Sequence, residues 1–357
     1  MRRFLSLLMA VLLMLPLAGC AEDKLLPDGG DPNSKPSGNP AGEKVVGICV
    51  PNDTDSRWPS EAAALSEQLE KEGLTTVVEY AQDDVSLQAS QIQALIARPV
   101  SCLVIAAIDS LALTDVLQQA KQAGIPVIAY DRLLVQTDAV TYYVGYDHQA
   151  MGAAIANHIV KTRQLETAQA EGRSHTIEFF MGSPEDNNAV LLYTGIVQVL
   201  QPYLDSGVLV CPTGRTAFED VCIQNWSAEL AKTLCRNYLS AHYTNAPPDI
   251  LCAASDAIAD GCRAALEDAG ILPGDSWPLI TGQGGQEDAI QRLASGHQSM
   301  TVYKALTDLP VACCEAVTAA LGIVNADWGE AVCHNGAISI PARFCDFTLI
   351  DQTPANP

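Results

Sequence analysis

Basic side chains are scarce in this sequence. Only 20 Lys and Arg residues stand against 42 Asp and Glu residues in a chain of 357, which gives a formal net charge of −22 at pH 7. A chain this acidic is repelled by nucleic acid and by an anionic membrane surface, so neither is expected as a partner. The charge favours solubility and says little about a small ligand.

Motifs typical of enzymes and metal sites are lacking as well. The six histidines are scattered, and none stands in a Ser/His/Asp or HExxH arrangement. No GxxxxGK(S/T) or GxGxxG follows a strand-like run, and GQGGQ at 282–286 is too short for a phosphate loop. Asp83 and Asp84 lead into a helix, where capping is a simpler role than glycoside hydrolysis. No CxxC pair or Cys/His spacing indicates zinc, so we expect a protein that is not an enzyme and holds no metal or cofactor.

The N-terminus has the features of an export signal. Arg2 and Arg3 precede an apolar run at 4–17, which is too short to cross a bilayer as a mature helix. The run ends in LAGC at 17–20, which resembles a bacterial lipobox with Cys20 as the lipidated residue. Several acyl chains on one residue make a stable anchor, because each buried methylene contributes roughly 0.8 kcal/mol. We expect an extracytoplasmic lipoprotein, anchored to the bacterial membrane in the periplasm or at the cell surface; a cleaved signal with a chance cysteine is the alternative.

The rest of the chain divides into a linker and a folded body. Residues 21–43 are rich in Pro, Gly, Asp and Ser and offer almost nothing to bury, which is typical of a flexible tether. The body of about 310 residues is too long for one simple core, so two lobes are expected.

Cysteines are numerous, and an extracytoplasmic location would let disulfides persist. Twelve occur in all, and eleven remain once Cys20 carries lipid, so at least one thiol stays unpaired. Cys333 and Cys345 flank a hairpin-like stretch and are one candidate pair. Cys211 with Cys222 is a second.

Strand-like apolar runs alternate with helical segments throughout the body. A first series has runs at 45–50, 75–80, 102–108 and 126–131, and a second has runs at 175–182, 249–255 and 278–283, with the short strand VLVC between them. A βαβ series predicts a parallel sheet with helices on both faces. Two successive series of about equal length predict an α/β protein with two similar lobes.

Polar side chains follow the strands of both series. Ligands of open parallel sheets bind outside the carboxyl ends of the strands, so these side chains should converge on one cleft. The residues concerned are Asn52, Asp53, Asp55, Arg57, Trp58, Asp109, Asp131, Arg132, Asp186, Asn187, Asn188, Asp256 and Gln283.

Side chains of these types suit a sugar. Each sugar hydroxyl donates once and accepts twice, and Asp, Asn and Arg can satisfy it with charge-assisted or paired bonds. Trp58 and Trp226 offer rings for the C–H face of the sugar. For any single Asp or Asn, a helix cap or a turn is an equally good explanation. That alternative is weaker for Arg132, which directly follows a buried strand.

Five ordered segments carry a resemblance to a known family. YDR at 130–132, GSPEDNNA at 182–189, ASDA at 254–257, TGQ at 281–283 and TVYK at 301–304 are similar to segments of the xylose-binding and multiple-sugar-binding periplasmic receptors of ABC importers. The resemblance extends from about residue 44 to about residue 350. It implies a type I, ribose-binding-like fold, in which two Rossmann-like lobes with parallel sheets are joined by a three-crossing hinge and close on a sugar.

The resemblance also implies residue roles. The expected sugar-binding residues are the first-loop pair Arg57 and Trp58, the first-lobe ligands Asp109, Asp131 and Arg132, the second-lobe Asn187 and Asn188, the stacking ring Trp226, the hinge-side Asp256, then Gln283, and Lys304 near the third crossing. The chain departs from the family at 282–285, where Gly284 stands in place of a usual Asp at the second crossing.

The expected domain organisation follows from the resemblance. The signal is placed at 1–20, the linker at 21–43, the first lobe at 44–146 plus 283–304, the second lobe at 147–282 plus 305–350, and a tail at 351–357. The expected function is to capture a monosaccharide, a xylose-like pentose or a hexose, as a monomer and deliver it to the permease subunits of an ABC sugar importer. The alternative is a sensor that presents its closed form to a chemoreceptor or sensor kinase. A cytoplasmic LacI-type repressor would share the fold, but the signal and the missing N-terminal helix-turn-helix argue against it.

Overall fold

The structure is a computed structural model that describes residues 44–54, 56–98, 100–274, 276–325 and 331–352. The predicted signal, the linker and Cys20 lie outside these residues. Within the described ranges, no helix is long and apolar enough to cross a membrane.

The first lobe is built on a seven-stranded sheet. Across the sheet the order is β12 (Val332–His334), β13 (Ser339–Phe344), β5 (Tyr142–Gly145), β4 (Val127–Tyr130), β3 (Val100–Ile105), β1 (Val45–Val50) and β2 (Thr75–Tyr80). Only the β12–β13 pair is antiparallel. The central strands are almost wholly apolar and buried, because helices cover both faces of a parallel sheet. These helices are α1 (Arg57–Lys71), α2 (Val85–Ala97), α3 (Thr114–Gln122) and α11 (Asp308–Ala320).

The second lobe contains two smaller sheets. The first is parallel, in the order β7 (Leu209–Val210), β6 (His175–Phe180), β8 (Ile250–Ala253) and β9 (Leu279–Ile280). The second has the order β10 (Gln283–Gly284), β11 (Met300–Tyr303) and β14 (Thr348–Asp351), with β14 antiparallel to β11. The helices of this lobe are α4 (His148–Thr162), α5 (Leu165–Ala170), α6 (Asn187–Asp205), α7 (Phe218–Val221), α8 (Ala228–His242), α9 (Asp256–Asp268) and α10 (Glu287–Ala294).

Aspartate side chains cap the starts of three helices, α2, α4 and α6. Asp84 accepts hydrogen bonds from the backbone N–H groups of Ser86 and Leu87 at the start of α2, which confirms the capping role expected there. Asp147 caps α4 and Asp186 caps α6 in the same way. Each carboxylate satisfies amide groups that the first helical turn leaves without partners.

The chain crosses between the lobes three times. It does so after β5, between β11 and α11, and between β13 and β14. The predicted two-lobed fold with a three-crossing hinge is therefore confirmed. Lys304 lies at the second crossing rather than near the third. Gly284 lies at a strand end inside the second lobe rather than at a crossing.

Two C-terminal segments belong to the opposite lobes from those predicted. The strand β13 pairs with β5 of the first sheet, and α11 packs against α1. Residues 283–304 instead belong to the second lobe, because β11 pairs with β14 and the side chain of Gln298 bonds to Asp256 of α9. The assignment of 283–304 to the first lobe and of 305–344 to the second is therefore wrong, whereas residues 348–350 lie in the second lobe as predicted. Periodicity identifies a strand, but it does not say which sheet edge that strand joins.

The cysteines of the described residues are all free thiols, so neither candidate disulfide is formed. Register explains the first case, because Cys333 stands opposite Ile340 in the β12–β13 pair. Cys345 is five residues further along, or roughly 16 Å of extended chain, which is far beyond disulfide reach. In the second case the Cys211 thiol lies 3.4 Å from the Glu178 carboxylate.

Candidate functional site

A cavity of about 700 Å³ lies where the carboxyl ends of the strands of the two lobes face each other. Most of the residues predicted to bind sugar line it: Arg57, Trp58, Asp131, Arg132, Asn188, Trp226, Asp256, Gln283 and Lys304. Asp109 and Asn187 do not. The cavity therefore draws side chains from both lobes and from the second crossing.

A tight turn at the end of β4 points two charged residues at the cavity. The backbone N–H of Arg132 donates to the carbonyl of Tyr130 at 2.6 Å, and Asp131 between them has a left-handed φ of 58°. Such a conformation is unfavourable for a residue other than glycine, and it is typical of functional sites. The Asp131 backbone is held in place by the Tyr143 hydroxyl and by the Asn188 amide, which donate to its carbonyl at 3.0 and 3.1 Å.

Two arginines flank the ring of Trp58. The guanidinium carbon of Arg57 is 4.6 Å from the ring centroid, and that of Arg132 is 5.2 Å from it. The Trp58 side chain is 2% exposed, so the ring mainly orients the two cations and offers little open surface to a ligand.

Carboxylates balance these cations. Arg57 pairs with Glu61 at 2.7 Å and with Asp131 at 3.0 Å, and Arg132 pairs with Asp186 at 3.0 Å. Burial alone would raise the pKa of Asp131, but Arg57 and Lys304 hold that pKa well below its usual range. Asp131 is therefore an ionised acceptor at the cavity wall.

Asp186 joins three parts of the site. Its carboxylate pairs with Arg132 of the other lobe and accepts a bond from the indole N–H of Trp226 at 3.2 Å. It also caps α6 by accepting a bond from the backbone N–H of Asn188. Burial raises the pKa of Asp186, and the Arg132 cation opposes that rise. Sequence reasoning noted Asp186 only as a strand-end residue and did not include it among the sugar-binding residues.

Trp226 supplies an aromatic wall on the second lobe. It ends a short turn at 224–226 in which both Asn225 and Trp226 have left-handed φ values. The ring is held against the end of β6, where a side-chain carbon on Gly182 would lie 2.2 Å from two of its atoms. Gly182 is thus required by the close approach of the ring. The Trp226 ring is only half-buried, which leaves surface for the C–H face of a sugar.

Two amide oxygens in the wall have no partner among the described residues. The Asn188 side chain donates its N–H to Asp131, but its Oδ1 accepts nothing, and neither does Oε1 of Gln283. Both side chains are buried. A buried acceptor without a donor is costly, so a ligand that brings hydroxyl donors fits this wall.

Asp256 is largely occupied by the protein itself. Its carboxylate accepts bonds from the Gln298 amide at 2.6 Å, the Gly285 backbone at 2.6 Å and the Thr301 hydroxyl at 2.8 Å. Four acceptor positions less three donors leave about one position for a ligand. Asp256 therefore fixes the loop at 282–285 as well as lining the cavity. Gly284 suits that loop, since its φ is 138° and a side-chain carbon there would lie 3.0 Å from Asp256 Oδ2.

Lys304 brings an amine to the hinge side of the cavity. Its Nζ lies 5.2 Å from the centroid of the Tyr146 ring, and it forms no ion pair with a described carboxylate. Burial, with repulsion from Arg57, lowers the pKa of Lys304 to about 8. The amine is therefore mostly charged at neutral pH and is available to donate to a ligand.

Asp109 and Asn187 have local roles instead. Oδ1 of Asp109 accepts from the backbone N–H groups of Leu111 and Ala112 at 2.7 and 3.0 Å. Asn187 is the first residue of α6, and its backbone N–H donates to the Ser110 hydroxyl at 3.2 Å. The turn-forming role that competes with ligand binding at a strand-end Asp therefore explains Asp109, and Asn187 begins the helix without lining the cavity.

Other lining residues were not predicted as ligands. They include Asn52, His148, Ser183, Asp186 and Ser255. Of these, Asn52 and Asp186 were visible as strand-end residues, whereas no sequence pattern marks His148. Over the described ranges, no three His, Cys, Asp or Glu side chains gather as metal ligands. What the cavity offers is a dense set of hydrogen-bond donors and acceptors beside an aromatic ring.

Several known proteins are similar to this chain in sequence and in fold. Residues 46–322 match a family described as the periplasmic binding protein domain. The chain is 35% identical over 310 residues to a multiple sugar-binding periplasmic protein of Azospirillum brasilense, covering 87% of this chain and 86% of the relative. It is 31% identical over 317 residues to a D-xylose-binding periplasmic protein of Escherichia coli, covering 88% of each.

Solved structures agree. An ABC transporter solute binding protein from Clostridium phytofermentans with bound β-D-glucose is 34% identical, with a TM-score of 0.82 over 87% of this chain and 94% of that one. A carbohydrate transporter solute binding protein from Chloroflexus aurantiacus, in complex with D-glucose, is 26% identical with a TM-score of 0.76 over 86% and 92%. The chain therefore belongs to the periplasmic binding protein family, and the relatives it resembles are extracytoplasmic sugar receptors rather than enzymes.

Proposed function

We propose that this protein captures one monosaccharide, a pentose or a hexose, in the cavity between its lobes and delivers it to the permease of an ABC importer. In this proposal the nine lining residues predicted from the sequence form the binding site. The unpartnered oxygens of Asn188 and Gln283 carry the proposal, because they are buried acceptors that a polyhydroxylated ligand would satisfy.

The walls of the cavity favour a sugar over an apolar ligand. Carboxylate and guanidinium groups alternate around Asp131, Arg132 and Asp186, so a hydroxyl can donate to one neighbour and accept from the next. The Trp226 ring gives a surface for the weakly apolar face of the sugar.

Binding is coupled to closure of the lobes. Arg132 of the first lobe pairs with Asp186 of the second, and Asn188 of the second lobe donates to Asp131 of the first. These bonds form only when the lobes are together. A sugar that contacts both lobes adds further bonds between them. It therefore binds the closed form more tightly and shifts the population towards that form.

Arg132→Ala tests the site. A thermal-shift panel of D-xylose, D-glucose, D-galactose and L-arabinose first identifies the ligand, since a ligand that binds the folded state raises its stability. Calorimetry should then show a loss of about 10- to 100-fold in affinity for Arg132→Ala, because a bond to a charged group contributes about 1.5–3 kcal/mol. Arg173, an exposed residue paired only with Glu171, gives the control variant Arg173→Ala. No response to any sugar, or equal affinity in both variants, would contradict the proposal.

Lipidation at Cys20 and hand-over to a permease complete the proposal. Cys20 follows an apolar run and a small-residue pair, which is the pattern of a lipidated cysteine. Expression with a radiolabelled fatty acid should label the wild-type protein and leave Cys20→Ser unlabelled. Label on both proteins, or on neither, would contradict the anchor and leave the sugar site standing.

A further inference from the structure

His148 is a buried histidine that faces the ligand cavity. It is the first residue of α4, directly after the cap Asp147, and it is 2% exposed. Its ring stands edge-on to Tyr146, with centroids 6.4 Å apart. Neither ring nitrogen has a hydrogen-bond partner among the described residues.

A histidine that serves only packing would usually satisfy its polar atoms with the protein, since an unpartnered buried group costs about 1–3 kcal/mol. His158, ten residues later on the same helix and less buried, has a polar neighbour near each ring nitrogen. One ring nitrogen of His158 lies 3.2 Å from the Thr162 hydroxyl, and the other lies 3.6 Å from the Asp351 carboxylate. The two unpartnered nitrogens of His148 therefore point to a ligand.

Burial and the charges around His148 determine the protonation state of its imidazole. Burial is the main cause that lowers the pKa of His148, Asp131 opposes it, and Lys304, Arg57 and Arg132 add to it, so that the pKa falls to about 3. The imidazole is therefore neutral at physiological pH. A neutral imidazole has one N–H donor and one acceptor nitrogen, the same pairing that sugar hydroxyls can complement.

We propose that one ring nitrogen of His148 forms a hydrogen bond with a hydroxyl group of the sugar and makes the receptor discriminate against sugars that lack that hydroxyl. This inference rests on the proposed sugar-binding function and names a specificity-determining residue within it. His148 begins the first helix of the second lobe, while Asp131 and Arg57 belong to the first. A hydroxyl held between them is contacted by both lobes at once, so its loss weakens binding and closure together.

A cycle of protein and ligand changes tests the assignment. Affinities are measured by calorimetry for wild type and His148→Leu, against the best-binding monosaccharide and its monodeoxy analogues. His148→Leu should weaken the parent sugar by about 10- to 100-fold, in line with an unmet buried bond. One monodeoxy analogue should bind wild type more weakly than the parent sugar does, by a similar factor. That analogue and the parent sugar should bind His148→Leu with nearly equal affinity.

Control variants distinguish the loss of a specific sugar contact from a general loss of folding. His158→Leu changes the other histidine of α4 outside the cavity and should keep wild-type affinity. His148→Gln, which keeps a donor and an acceptor, should recover part of the loss and serves as the second variant if the leucine does not fold. Affinity for His148→Leu within twofold of wild type would overturn the role of His148 while leaving the receptor function intact. The same conclusion would follow if the deoxy effects were the same in wild type and in whichever of the two variants folds. A wild-type protein that binds no monosaccharide would overturn the receptor function itself.

Discussion

An alanine at position 182 is expected to displace the Trp226 ring from the cavity wall. A side-chain carbon built on Gly182 would lie 2.2 Å from Cη2 and Cζ2 of Trp226, and 2.5 Å from Cε2. Carbon atoms in contact are separated by about 3.5–4.0 Å, so the ring would have to retreat by roughly 1.5 Å. The ring has little freedom to do so, because its N–H is bonded to Asp186 and its backbone is in a constrained left-handed turn.

The size of the effect follows from the contacts that are lost. Overpacking of a tight site costs about 1–3 kcal/mol of unfolding free energy. Retreat of the ring also breaks its bond to Asp186, and bonds to charged groups contribute about 1.5–3 kcal/mol. For the sugar, loss of a well-placed aromatic contact worth about 0.5–1.5 kcal/mol predicts a fall in affinity of up to about tenfold.

Urea unfolding and calorimetry measure the two effects. Gly274→Ala is the matched control, because a side-chain carbon there meets nothing within 4 Å. The double variant Gly182→Ala with Trp226→Ala should be no less stable than Trp226→Ala alone, since the clash has gone with the ring. If Gly182→Ala kept wild-type stability and affinity, the placement of Trp226 against β6 would be refuted.

Three further predictions follow from the site. Sugar affinity should fall as pH rises through about 8, by about tenfold between pH 7 and pH 9. The reason is that Lys304, with a pKa of about 8, loses the proton of its charged amine over this range. In calorimetry, Lys304→Met should flatten this dependence of affinity on pH. Asp256→Ala should lower the unfolding free energy by about 3 kcal/mol in urea, because three buried donors lose their acceptor. Replacing Cys333 and Cys345 together by serine should leave the melting temperature within about 2 °C of wild type, because both are half-buried thiols with no bridge to lose.

Each of these predictions has a result that would contradict it. A pH profile that is the same in wild type and Lys304→Met would show that the amine does not bind the ligand. Asp260→Ala, one turn further along α9 at a partly buried ion pair with Arg263, is the control for Asp256. An equal loss of unfolding free energy in both variants would mean that the loss does not come from the three hydrogen bonds of Asp256. A large fall in melting temperature for the double serine variant would indicate that the two thiols are in fact bridged.

The alternation of strands and helices could be read from the sequence because buried parallel strands are continuous apolar runs. The runs at 45–50 and 75–80 coincide with β1 and β2, and the second series likewise gives β6 and β8. The lobe of β13 could not be predicted in this way. An apolar strand fits any open sheet edge, and only the tertiary fold shows that β13 joins β5.

The candidate site was predictable to a similar extent and for a similar reason. Strand-end position and family resemblance located the arginines, Asp131, Trp226 and Lys304 in the cavity. They did not separate a cavity-lining residue such as Asn188 from a turn former such as Asp109, because both residue types favour both roles. His148 was missed since a single residue at a helix start leaves no periodic signal.

The late return of the chain to the first sheet has a consequence for biogenesis. Until residues 332–344 are present, β5 is an uncovered edge, and the loop at 134–137 lacks the two bonds that its carbonyls accept from Asn335. The first lobe therefore cannot complete its sheet until residues 332–344 have been synthesised. Because an open sheet edge is a template for pairing with other chains, β13 protects the first lobe from association through the edge at β5.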